Sequence, residues 1–155
     1  MTVLSFLDHQ YLQSIGSLAT AVGVLLAAFQ LRRSKLQAIT AFEDDLAKEY
    51  RDICNKIPTR VFLGETLSPE EMAPLLDDFY RYFDLSNSQV FFRKIGRVSE
   101  KTWTFWADGM NANLALAGFS MAWSQIGPRI GNSFLEFKRL VEEGFSHDPK
   151  HWYRG

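Results

Sequence analysis

The sequence predicts an all-α protein, in which one N-terminal transmembrane helix continues into a cytoplasmic bundle of four or five helices. Three observations predict this fold. Residues 10–31 carry no charged side chain. Beyond them, apolar residues recur at helical spacings of three and four, and the alternation typical of β-strands is absent. We therefore expect two parts, a membrane helix at residues 10–31 and a helical bundle at residues 32–155.

The uncharged run is long enough to cross a bilayer. As a helix, residues 10–31 would extend about 33 Å, against a hydrocarbon core of roughly 30 Å. A basic cluster follows it at once: Arg32, Arg33 and Lys35. Basic residues favour the cytoplasmic side, so we expect a bacterial inner-membrane protein with its N-terminus outside and its bundle in the cytoplasm. The alternative is an alanine-rich helix in a soluble core, since several polar side chains make the run only moderately apolar.

Small residues form a stripe along this helix at spacings of four, three and four: Gly16, Thr20, Gly23 and Ala27. Such stripes let membrane helices approach closely, which predicts packing between copies of the chain. Polar residues run beside the stripe: Gln10, Gln13 and Ser17. They would line a pore if the helices assembled around one. Otherwise the glutamines lie among lipid headgroups, and the serine hydroxyl bonds to its own backbone.

The membrane helix is expected to continue into the bundle, because no Pro or Gly occurs between Val24 and Ile57 and Pro58 is the first residue to stop it. One face of this extension is apolar: Ile39, Phe42, Leu46, Tyr50, Ile53 and Ile57. The opposite face, which includes Glu43 and Arg51, is expected to be solvated.

Capping signals predict the later helices. Ser68 and Glu71 form a capping box before a helix that becomes regular near Pro74 and ends at Gly96. Ser99 is expected to cap the next helix, whose inward face has four residues: Trp103, Trp106, Met110 and Leu114.

Two shorter elements complete the prediction. A helix over residues 119–126 is expected to stop at Gly127 and Pro128. Ser133 or Asn132 should start the last helix, which ends at Gly144. The tail after it, interrupted by Pro149, is predicted to form no element.

Composition and motifs argue against an enzyme. The formal net charge is -1, so no basic excess indicates nucleic-acid binding. Cys54 is the single cysteine, and the only paired histidines, His147 and His151, are separated by a proline; no metal or other cofactor is expected. The helical HEPN ribonucleases carry an Arg–His motif with four to six intervening residues. The nearest match, Arg139 to His147, departs from it in spacing and context.

Three segments carry a family resemblance: YFDLSNSQ at 82–89, GRVSEKTWTFW at 96–106 and FSMAWSQI at 119–126. They resemble a group of uncharacterised bacterial proteins that pair one membrane helix with a small cytoplasmic helical domain. The layout is also similar to that of the accessory membrane proteins of RNA-targeting type VI CRISPR systems, which form ring-shaped pores. Within the first segment, Asp84, Asn87 and Gln89 are candidates for contact with a partner or a neighbouring subunit. Capping or core roles are the alternative.

Two functions follow from these features. The first is a self-assembling single-pass membrane protein, acting as a regulated pore or effector in antiviral defence, with the lipid bilayer and further copies of the chain as its partners. The second is a membrane-anchored adaptor or sensor, whose bundle binds a cytosolic protein without forming a pore.

Overall fold

The protein is helical throughout the part that the structure describes. This structure, a computed structural model, describes residues 3–152, with side chains described from residue 16 onward. Helices account for 77% of the chain, and the described residues contain no strand. The predicted all-α class and the helical bundle are confirmed. The chain divides into two units, Met1–Thr40 and Ala41–Gly155.

The first unit contains the N-terminal part of α1, a helix that runs over Val3–Cys54. From residue 16 to residue 40, every side chain except the half-buried Ile39 is exposed. By length and hydropathy, none of the helices in the described portion qualifies as a membrane span.

The second unit is a bundle around one aromatic core. Its helices, after the C-terminal part of α1, are α2 (Thr59–Phe62), α3 (Pro69–Met72), α4 (Leu76–Lys94), α5 (Glu100–Leu114), α6 (Ala117–Ile126) and α7 (Leu135–Glu142). There are also two 3₁₀ turns. The first, Ala73–Leu75, joins α3 to α4, and the second, Pro149–His151, follows α7. Helix α4 packs against α6, α7 and the second of these turns, and is therefore the central element of the bundle.

The core is built from rings that meet edge to face. Phe119 of α6 contacts Phe79 and Tyr82 of α4, with ring centroids 5.1 and 4.9 Å apart. Such contacts contribute about 0.5–1.5 kcal/mol each beyond the burial of their surface. Trp103 and Met110 of α5 are buried, as their spacing predicted.

The predicted capping box of α3 is confirmed. The Ser68 hydroxyl accepts from the Glu71 N–H at 3.3 Å, and the Glu71 carboxylate accepts from the Ser68 N–H at 2.8 Å. Ser99 caps α5 as predicted, by accepting from the Thr102 N–H at 3.3 Å.

The predicted start of the last helix is wrong. Helix α7 begins at Leu135, and the residue before it is Phe134, which has a left-handed backbone with φ of 57° and makes no side-chain cap. The capping group comes from another helix, because Oδ1 of Asn87 in α4 accepts from the Phe137 N–H at 3.1 Å. Burial of the Phe134 ring against Tyr80, 5.1 Å between centroids, holds the unusual backbone in place.

The prediction of a structureless tail is also wrong. Asp148 caps the Pro149–His151 turn, and its carboxylate accepts two hydrogen bonds from Nε of Arg93, at 2.8 and 3.1 Å, with Nη2 contacting it as well. Nη1 of Arg93 donates to the Val98 carbonyl at 2.9 Å. Arg93 is only 2% exposed, so the tail neutralises a charge that lies inside the bundle.

Glu43 was expected to lie on a solvated face, and this prediction is wrong. It is half-buried, and its carboxylate accepts from the Ser99 N–H at 2.6 Å and from the Thr102 hydroxyl at 2.7 Å. Beside it, the Arg97 guanidinium stacks over the Phe42 ring at 4.4 Å. These contacts attach the last turns of α1 to the start of α5.

Candidate functional site

Two features stand out as candidate sites, an apolar surface on α1 and a cavity in the bundle. On α1, large apolar side chains between residues 18 and 31 are 48% to 72% exposed: Leu18, Val22, Val24, Leu25, Leu26, Phe29 and Leu31. Four of them share one face at spacings of four, three and four: Leu18, Val22, Leu25 and Phe29. This segment therefore exposes an apolar surface of the kind that proteins use to contact lipid or other proteins.

The predicted stripe of small residues lies on the other side of the same helix. It has the same spacing and is offset by two residues, or about 200° of helical turn. A Cβ added at Gly16 or at Gly23 would meet no atom of the described residues within 4 Å, apart from the backbone of its own helix. The Thr20 hydroxyl donates to the Gly16 carbonyl at 2.9 Å, so its hydrogen is already bonded within the helix.

The other residues predicted for this segment are placed as follows. Ser17, Ala27 and the basic cluster of Arg32, Arg33 and Lys35 are exposed on α1. Gln10 and Gln13 lie outside the residues whose side chains the structure describes.

The three candidate interface residues on α4 do not form one surface. Asp84 is exposed, Asn87 caps α7, and Gln89 is 3% exposed and lines a cavity. Only Asp84 is thus freely presented to solvent.

The cavity lies between α1, α4 and α5, is partly open to solvent, and has a volume of about 530 Å³. Its apolar walls include Phe105, Trp106 and Met110, and Gln89 and Tyr82 of α4 line it as well. All the residues that line it belong to the second unit: Ala47, Tyr50, Arg51, Tyr82, Gln89, Phe105, Trp106, Asp108, Gly109, Met110 and Ala112.

Two phenols share one amide at this cavity. Nδ2 of Asn113 donates to the Tyr82 hydroxyl at 3.0 Å and to the Tyr50 hydroxyl at 3.4 Å. Burial raises the pKa of Tyr82 and of Tyr50 above the usual value, so both phenols are neutral and keep a hydrogen to donate at physiological pH. Burial likewise raises the pKa of the Cys54 thiol, one turn from Tyr50.

Two exposed charges complete the lining. Arg51 of α1 and Asp108 of α5 both line the cavity, and within the described residues neither has an ion-pair partner. The sequence placed Tyr50 on the apolar, inward face of α1, but it placed Arg51 on the solvated face. No sequence pattern pointed to Asn113 or Asp108, because a cavity between three helices leaves no local pattern in the sequence.

The bundle offers no metal centre within the part of the chain that the structure describes, where no three His, Cys, Asp or Glu residues are close enough to share an ion. No protein family model, curated protein or solved structure matches this chain.

Proposed function

We propose that this is a single-pass membrane protein that self-assembles through the helix at residues 10–31. The observation that carries the proposal is the exposed apolar surface between residues 18 and 31. Removing apolar surface from water contributes about 25 cal/mol per Å², so several large side chains exposed together favour a non-aqueous contact. Because residues 10–31 carry no charge, a lipid bilayer can supply such a contact along the whole segment.

The polar groups of the segment fit a bilayer. Thr20 bonds to the Gly16 carbonyl, so its hydroxyl enters hydrocarbon already satisfied. Arg32, Arg33 and Lys35 are exposed directly after the apolar run, where basic side chains reach the headgroups. In this orientation the N-terminus lies outside and the bundle lies in the cytoplasm.

Self-assembly is proposed to use the small-residue stripe. Leu18, Val22, Leu25 and Phe29 face lipid, and the stripe on the other side of the helix faces a second copy. The empty space around Gly16 and Gly23 would admit the backbone of a neighbouring helix, which is the contact on which packing in lipid depends.

The assembly is proposed to act as a regulated pore, with Gln10, Gln13 and Ser17 lining it. The polar character of these side chains and their position beside the stripe support this step. The role proposed for such a pore is that of an effector in antiviral defence, on the similarity of layout to the type VI CRISPR accessory proteins.

The mass of the detergent-purified particle tests self-assembly. A Cβ at Gly23 meets no described atom within 4 Å, so a loss of mass in Gly23→Leu would report a contact between chains. We expect this variant to shift from an oligomer toward the monomer. Val22→Leu, on the lipid side, is the matched control and should keep the parent's mass. Equal particle masses for the two variants would remove the stripe as an interface.

Membrane anchoring needs a separate test. The full chain should stay with the membrane pellet through an alkaline carbonate wash, and a reporter fused after Gly155 should behave as cytoplasmic. Release by carbonate would contradict the anchor, and periplasmic reporter activity would contradict the orientation. An anchored monomer would leave the adaptor function in place of the pore.

A further inference from the structure

Gln89 carries an amide that is buried and yet unpartnered. The residue is 3% exposed, and no hydrogen bond reaches its side chain from any described residue. Fully enclosed polar side-chain atoms in the described part of the chain all have partners, so the Gln89 amide is open to the cavity that it lines. A bound molecule with matching groups can therefore pair with this amide without displacing a hydrogen bond of the protein.

The cavity has room for a ring system with substituents. A dry cavity of about 150 Å³ holds benzene, and ligand pockets commonly measure about 300–1,000 Å³. At about 530 Å³, this cavity falls inside the second range. Trp106 and Phe105 both line it, and Phe105 is 75% exposed although it is aromatic. Aromatic side chains that are open in this way stack on planar heterocycles.

The polar groups around the cavity distinguish among planar ligands. A carboxamide offers a donor beside an acceptor, which pairs with the matching edge of a purine. The unpaired Arg51 suits a phosphate, since a guanidinium binds phosphate oxygens in a bidentate manner. Asp108, also unpaired, can accept from sugar hydroxyls, as acidic residues do in nucleotide-binding folds.

We propose that this cavity binds a purine nucleotide. The base lies against Trp106 and Phe105 and pairs with the Gln89 amide. The phosphate stays at the surface with Arg51, and the ribose lies near Asp108. This binding goes beyond the proposed membrane function, and it gives the bundle a small-molecule ligand of its own.

Calorimetric titration of the purified full chain with AMP tests the site. Gln89→Met keeps the side-chain volume and removes the amide, and it should weaken AMP binding about tenfold or more. Because the amide has no partner to lose, the melting temperature of this variant should equal or exceed that of the parent. Arg51→Gln should weaken AMP binding while leaving adenosine binding unchanged. Arg81→Gln changes an exposed arginine of α4 outside the cavity and should bind AMP as the parent does.

Three results would overturn the proposal. The first is the absence of AMP binding at millimolar concentration. The second is binding of ribose 5-phosphate as tight as that of AMP, which would show that Arg51 holds a phosphate without the base being read. The third is a Gln89→Met melting temperature well below the parent's, which would show that the amide has a structural partner. None of these results depends on whether the chain enters a membrane.

Discussion

The carboxylate of Glu43, on α1, accepts a hydrogen bond from the backbone N–H of Ser99 at 2.6 Å, so a residue 56 positions earlier completes the N-terminus of α5. The Thr102 hydroxyl donates to the same carboxylate at 2.7 Å. A negative charge is stabilised at a helix N-terminus, where the backbone N–H groups have no partners within the helix.

Glu43→Gln should therefore destabilise the bundle. The substitution removes the charge and replaces one accepting oxygen with a donor, so we expect a loss of about 1–3 kcal/mol in the free energy of unfolding. Urea denaturation followed by tryptophan fluorescence measures it, because all four tryptophans lie beyond residue 100 and report on the bundle. Asp44→Asn, at the exposed neighbouring position, should change stability by less than about 0.5 kcal/mol. Equal stability of the two variants would contradict the capping role.

Trp103→Ala should cost about 3–5 kcal/mol, because this side chain is only 5% exposed and leaves a cavity when truncated. Phe105→Ala, two residues along the same helix at an exposed position, removes a comparable ring and should cost far less. Thermal unfolding of the full chain compares them. A similar fall in melting temperature for both variants would contradict the prediction that the buried Trp103 ring contributes more to stability than the exposed Phe105 ring.

Gly118→Ala should destabilise the contact between α6 and α2. A Cβ at this position would lie 2.7 Å from Cγ1 of Val61, which is itself buried, so one side chain or the backbone must shift. Overpacking of this kind costs about 1–3 kcal/mol. Gly109→Ala, on α5, is the control: its Cβ would meet no described atom within 4 Å, and alanine is the better helix former by up to about 1 kcal/mol. Opposite shifts in melting temperature are expected, and a stabilised Gly118→Ala would contradict the close approach.

Acid should weaken the attachment of the C-terminal turn. Burial raises the pKa of Asp148, but the hydrogen bonds from Arg93 and from the Lys150 N–H, with the charge of Arg93, outweigh it and hold the pKa below its usual value. A carboxyl whose pKa is lowered by folding contributes stability above its unfolded pKa, about 3.9, and loses it as the pH falls through the folded value. We therefore expect the melting temperature to fall below about pH 4.

The variant Asp148→Ala isolates this contribution. It leaves the Arg93 charge buried without a partner, so it should cost about 3–5 kcal/mol at neutral pH. Its melting temperature should then depend less on acid than that of the parent. The measurement is the difference between the two plots of melting temperature against pH. A difference is needed because Glu71 and Glu143 also have lowered pKa values, and they do so in both proteins. Parallel curves would contradict the role of Asp148.

Sequence patterns were sufficient where the cause is local. The burial of Trp103 follows from helical spacing, and the capping box at Ser68 and the N-cap at Ser99 follow from residues three positions apart. Helix α7 shows where this fails. Its N-terminal N–H is satisfied by Asn87, 50 residues earlier, so no local cap was needed and Ser133 was a misleading signal.

The candidate site depended on distant residues in the same way. Gln89 was singled out as a polar residue in an aromatic segment, but its lack of a partner results from the meeting of α1, α4 and α5. Arg51 and Asp108 are ordinary surface charges in the sequence, and they become neighbours of one cavity only in the folded chain.

The pairing of Arg93 with Asp148 also sets an order on biosynthesis. The chain is made from its N-terminus, and the partner of the buried guanidinium is encoded 55 residues after it. At roughly 5–20 residues per second, about 3–11 s pass between the synthesis of the two. During that interval, burial of the Arg93 guanidinium in the bundle would carry a large desolvation penalty. The bundle can therefore complete its folding only when the turn that Asp148 caps has emerged from the ribosome.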